Sequence, residues 1–134
     1  MSARAALIGS QYQAPDLLLI MIGTNNVARG SRDFLASYER IIAILHESYP
    51  GAIIVVNSLL PMELPYLPPD TVARVNSALV LMAAGSGALY LDAWSVMADK
   101  SGQAREGILA DEVHLSLYGY EIWSAEIERL LAKL

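Results

Sequence analysis

Apolar residues follow two kinds of spacing along this chain, and the two kinds alternate. Pro15 to Gly23, "PDLLLIMIG", is a short continuous apolar run bounded by Pro and Gly, the pattern of a buried strand. In "SRDFLASYERIIAILHESYP", Phe34, Leu35, Tyr38, Ile41, Ile42 and Leu45 recur at helical spacing, with Ser31 placed to cap the helix and Pro50-Gly51 to stop it. Ala52 to Leu60, "AIIVVNSLL", predicts a second buried strand, and the Pro-rich "PMELPYLPPD" a loop. Asp70 then caps a helix in which Val72, Val75, Leu79 and Met82 share a face, ended by Gly85 to Gly87. "ALYLDAW" predicts a third strand. After another loop, Ser116 caps a final helix carrying Leu117, Ile122, Ile127, Leu130, Leu131 and Leu134. Near the start, "ARAALIGS" reads as the end of a helix.

Strands alternating with helices imply an α/β fold, a parallel sheet covered on both faces and joined by right-handed crossovers. Ligands in such sheets sit beyond the carboxyl ends of the strands. The segments to inspect are therefore Gly23 to Asn26, Asn57 to Pro61, and Asp92 to Ser95.

Composition narrows the function. The 134 residues suffice for one domain with a real core and are too few for two. They are 54% hydrophobic and 17% charged, which agrees with elements buried on more than one face. The formal net charge is −5 with no basic patch, so nucleic acid is not an expected partner. Cysteine is absent, which removes disulfides, Cys-ligated zinc and a thiol nucleophile together. The first residues make a poor signal peptide, so the expected compartment is the cytoplasm. The longest apolar run, Leu17 to Ile22, is too short to span a membrane.

Two stretches carry candidate chemistry. In "GTNN", after the first strand, an Asn amide can donate to an anionic oxygen, a contact worth roughly 10²–10³ in rate when preorganised. The plainer alternative is that Asn25 and Asn26 make the turn. In "DEVH", two intervening residues let the Asp111 carboxylate reach the His114 ring, fix its tautomer and leave the other nitrogen as a base. The plainer alternative is a solvated loop whose acids favour the next helix's N-terminus. His46 falls late in a helix and reads as a surface residue favouring the helix C-terminus.

Strand-"GTNN", strand-"NSLLP", helix with "RVN", strand-"LDAW" and loop-"DEVHLSLYGY"-helix, in that order, resemble the SGNH hydrolases, or GDSL-type esterases. They look especially like the alpha-subunit branch of the platelet-activating-factor acetylhydrolases, in which "GTNN" also replaces the commoner Gly-x-Asn-Asp. The resemblance runs from about Pro15 to the C-terminus. It implies a three-layer α/β/α, flavodoxin-like fold, here cut to about three parallel strands, in one N-terminally incomplete domain over residues 1–134. It implies serine-type hydrolysis of small acyl esters with no cofactor and no metal. Asn25 matches the oxyanion-hole asparagine, His114 the general base and Asp111 the acid that orients it. Gly23, Asn26 and Ser58 fall beside the oxyanion and substrate pocket. Asn26 stands where Asp is more frequent.

The family's Gly-Asp-Ser block, which supplies the nucleophile, and a later donor glycine lie upstream of the matched region and have no counterpart here. Ser10, in "LIGSQY", precedes the first strand, roughly 20 Å from Asn25 by strand rise, and is rejected. Ser58 and Ser95 follow strands and are better placed, but neither sits on a sharp strand-to-helix turn. The missing strands would leave the edge of "LLLIMI" open to self-association or to complementation by another segment. The competing reading is a non-catalytic, partner-binding fragment. A metal site from Asp92, Asp111, Glu112 and His114 would need a second histidine or more convergent carboxylates. The Pro-rich loop offers Met62, Leu64, Tyr66 and Leu67 as acyl contacts, or as simple core cover.

Overall fold

The computed structural model describes residues 16–28 and 34–134, apart from the side chains of Asn25 and Ala28. Ser10 and Ser31 lie outside the described residues. The three apolar runs form strands β1 (Leu17–Ile20), β2 (Ile53–Asn57) and β3 (Leu89–Leu91). They make one parallel sheet in the order β1-β2-β3. Leu17 stands opposite Ile53, and Val55 opposite Leu89. The helices are α1 (Thr24–Ala28), α2 (Leu35–Ser48), α3 (Thr71–Gly85), α4 (Trp94–Met97) and α5 (Leu117–Lys133).

Successive strand side chains point to opposite faces, and β2 shows where the layers lie. Ile54 and Val56 belong to the core that Tyr38, Ile42 and Leu45 of α2 share with Val75, Leu79 and Met82 of α3. Asn57 turns the other way, to meet Trp123 of α5. Thus α2 and α3 cover one face and α5 the other, and Ile54 to Asn57 are fully buried between them. Among the described residues β1 pairs with β2 alone, and Leu17 to Leu19 are half-buried. No helix of the described residues is long and apolar enough to cross a membrane.

The structure departs from the sequence reading at several ends. The strands are shorter than the apolar runs, because the runs continue into the turns that leave the sheet. Phe34, with no side-chain cap, precedes α2. Asp70 occupies the cap position of α3, but its carboxylate accepts from Arg74 Nε at 2.7 Å, and no side-chain bond caps the helix. Ser116 does cap α5, accepting from the Gly119 amide at 3.0 Å. His46 is half-buried in the last turn of α2, and its Nε2 lies 3.0 Å from the Ser86 carbonyl at the end of α3. A carbonyl can only accept, so Nε2 carries the proton and the ring ties two helix ends together.

Candidate functional site

Three strand exits and one loop build the carboxyl edge of the sheet. β1 leaves through Gly23, whose φ of +116° suits glycine. A Cβ at this position would lie 2.6 Å from the Phe34 ring, so glycine also allows that ring to close over the exit. The Gly23 carbonyl accepts from the Val27 amide at 2.9 Å and starts α1. Thr24 to Asn26 are thereby held in a helical turn at the edge of the sheet.

The β2 exit is polar and buried. Asn57 accepts from the Trp123 indole N–H at 2.9 Å and donates to the Ser58 carbonyl at 2.8 Å. Ser58 Oγ accepts the amides of Ala93 and Trp94 at 3.1 and 3.0 Å, which ties the β2 exit to the β3 exit. Asn76 reaches from α3 to bond both the amide and the carbonyl of Leu59, at 2.8 and 3.1 Å. At the β3 exit, Asp92 accepts from the amide and hydroxyl of Ser95, at 3.1 and 2.5 Å.

The loop before α5 folds back on itself. Leu109 bridges Leu115, the Ala110 amide donates to the His114 carbonyl at 2.8 Å, and the Ser116 amide donates to the Ile108 carbonyl at 2.8 Å. Inside it, Asp111 Oδ1 accepts the amides of Val113 and His114, at 2.9 and 2.8 Å. The His114 Nδ1 lies 2.8 Å from Asp111 Oδ2 and 3.0 Å from Oδ1. A carboxylate only accepts, so Nδ1 holds the proton and Nε2 is the nitrogen left to receive one. The Val113 and His114 amides, then the ring, hold the Asp111 carboxyl down at about 2. The imidazole is 72% exposed, so a reacting group has open access to it.

Thr24 and His114 line the same cleft, of about 100 Å³, together with Met21, Met62, Tyr120 and Trp123. The β1 exit and the His114 loop therefore converge. Asn25 lies in the same turn as Thr24, with its side chain outside the described residues. Asn26 is half-buried and Gly23 buried in that turn. Ser58 is not brought to the cleft: it is fully buried, and its oxygen is occupied by two amides. Ser95 is exposed beside Asp92 in a separate depression with Ser77 and Tyr90. Among the described residues no group of three or more His, Cys, Asp or Glu could hold a metal ion.

Sequence reasoning brought Asn57 and Asn76 into view, in "NSLLP" and "RVN", but gave no role to either, nor to Trp123. Each carried a signal: Asn57 ends an apolar strand, Asn76 falls on the buried face of α3, and Trp123 follows Tyr120 by three positions on a helix. Of the Pro-loop residues, Met62 lines the His114 cleft. Met62, Leu64 and Leu67 line a larger depression of about 290 Å³ beside it, and Tyr66 is exposed.

Comparison with known proteins agrees with this architecture. The sequence pattern of the GDSL-like lipase/acylhydrolase family matches residues 3–122. No curated protein matches the chain by sequence. Among solved structures, a protein from Streptococcus pneumoniae proposed to be a platelet activating factor superposes with a TM-score of 0.79 at 24% identity, over 87% of this chain and 59% of its own. A GDSL-like lipase from Bacteroides thetaiotaomicron gives 0.75 at 20% identity, over 99% of this chain and 71% of its own. An acetylxylan esterase from Geobacillus stearothermophilus gives 0.62 at 22% identity, over 94% and 65%. At these identities the likeness is one of fold. The chain spans 59% of the length of the pneumococcal protein.

Proposed function

Starting from the fact that this chain belongs to the GDSL-like lipase/acylhydrolase family, we propose that it carries the oxyanion and acid–base half of a serine ester hydrolase acting on small acyl esters. The observation that carries the reading is the Asp111–His114 pair. Its carboxylate holds Nδ1, so Nε2 is the proton acceptor, and the ring lines the cleft that the Thr24 turn also reaches.

In the reaction, His114 Nε2 takes the proton of a serine hydroxyl as the serine oxygen attacks the acyl carbonyl. Asp111 stabilises the imidazolium that forms, without itself taking the proton. The Asn25 amide donates to the oxyanion of the tetrahedral intermediate, with Gly23 and Asn26 shaping the turn that aims it. The protonated ring then gives its proton to the leaving alcohol, and water releases the acyl group by the same steps. No serine lines the cleft among the described residues. The nucleophile comes from a Gly-Asp-Ser segment, a motif that these 134 residues do not contain, and the side of β1 with no strand partner among the described residues is where such a segment or a second copy pairs.

The test is fluorophosphonate labelling and turnover of a chromogenic acetyl ester, with and without an added N-terminal segment bearing Gly-Asp-Ser. Turnover is expected only with the segment, and is lost in His114→Ala. Turnover by the chain alone, abolished by Ser95→Ala, would overturn the placement of the nucleophile. No turnover in either case would favour a binding role. Sedimentation checks the edge: a dilute monomer counts against pairing through β1.

A further inference from the structure

We infer that Trp123, fixed in place by buried Asn57, sets the length of acyl chain that the His114 cleft accepts; the inference rests on the ester-hydrolase reading of that cleft. The cleft holds about 100 Å³. Pockets for drug-sized ligands run roughly 300–1,000 Å³, so this cleft suits a small group such as a short acyl tail.

The walls differ in how far they can yield. Met21 and Met62 line the cleft with flexible, polarisable thioethers that adapt to an occupant. The indole of Trp123 does not. Its N–H donates to Asn57 Oδ1 at 2.9 Å. Asn57 is fully buried, and its own amide nitrogen is committed to the Ser58 carbonyl at 2.8 Å and faces Met21 Sδ at 3.7 Å. The carboxamide thus has its acceptor end aimed at the indole and its donor end at the backbone. Swinging the ring away would strand a buried carbonyl oxygen, which is costly. Tyr120 stacks on Trp123, with ring centroids 6.3 Å apart and an interplanar angle of 29°. Trp123 is therefore a wall of the cleft that a buried hydrogen bond holds in place, where the methionines can yield.

Neutral amides probe this without a nucleophile and without charge repulsion from Asp111. The full chain is titrated with acetamide, butyramide and hexanamide, following the Trp123 indole N–H and the His114 ring by NMR. Affinity should rise by about fourfold per methylene from acetamide to butyramide, then stop, with hexanamide binding no tighter. In Trp123→Ala the gain should continue to hexanamide. Trp123→Phe, which keeps a ring but loses the anchor to Asn57, should show a smaller gain and decides the matter if the alanine variant does not fold. Continued gain by hexanamide on the unaltered chain, or an unchanged plateau in the variants, overturns the role of Trp123 alone. Shifts at neither residue with any amide overturn the acyl-site reading, and this inference with it.

Discussion

Gly119→Ala should loosen the attachment of the His114 loop to α5. A Cβ at residue 119 would lie 2.4 Å from the Ile108 carbonyl oxygen and 3.2 Å from two side-chain carbons of Leu115. A carbon needs about 3.3 Å from an oxygen even in a close C–H···O contact. The helix and loop must therefore part by about 0.9 Å at this point, the difference between that contact and the 2.4 Å available. The carbonyl cannot yield alone, because it accepts the Ser116 amide at 2.8 Å, and Ser116 caps the same helix. Overpacking of this kind costs about 1–3 kcal/mol, and loss of the cap about 1 kcal/mol more. Replacing glycine inside a helix returns about 1 kcal/mol. The net expectation is a loss of about 1–3 kcal/mol, read by urea unfolding followed by circular dichroism. Gly85→Ala is the control: nothing stands within 4 Å of its added Cβ, so it should be neutral or slightly stabilising. A Gly119→Ala chain as stable as the unaltered one, with unshifted amides at Ala110 and His114, would refute the argument.

Ser58→Ala should cost about 1–3 kcal/mol, because the buried amides of Ala93 and Trp94 both lose their acceptor; unchanged unfolding with lost turnover would instead make Ser58 a reacting group. Asp111→Asn should leave stability nearly unchanged, since both partners are exposed. In the complemented enzyme it should cut turnover on the order of 10³–10⁴-fold through loss of the held tautomer, and an effect below tenfold would argue against that role. The Asp111 carboxyl is depressed to about 2 from 3.8, so its folded contacts are fully present above the ordinary carboxylate value and are lost as pH falls through about 2. A carbon-detected NMR titration with a midpoint near 3.8 would contradict this.

Much of the fold was legible because it rests on local pattern. Three apolar runs became three parallel strands, and the spacing of Tyr38, Ile42 and Leu45 gave the buried face of α2. Ser116 was readable as a cap because its bond spans three positions. The Asp111–His114 contact was readable for the same reason. What escaped depends on distance along the chain. Asn57 and Trp123 meet across 66 positions, and His46 and Ser86 across 40. Short α1 and α4 are too brief to show a period, and are set by the turns that leave β1 and β3. Ser58 was placed beside the substrate pocket because it follows a strand end, yet burial and two amides make it a clamp.

Asp111 and His114 meet within a span of three positions, through bonds that also fix the intervening backbone. Chain connectivity keeps carboxylate and imidazole at high mutual concentration whatever happens farther away. The pair can therefore be carried as a cassette: displacing the loop re-aims the imidazole without uncoupling it from its acid. Where the imidazole points and whether it stays paired with its acid are then separate problems, solved by different residues.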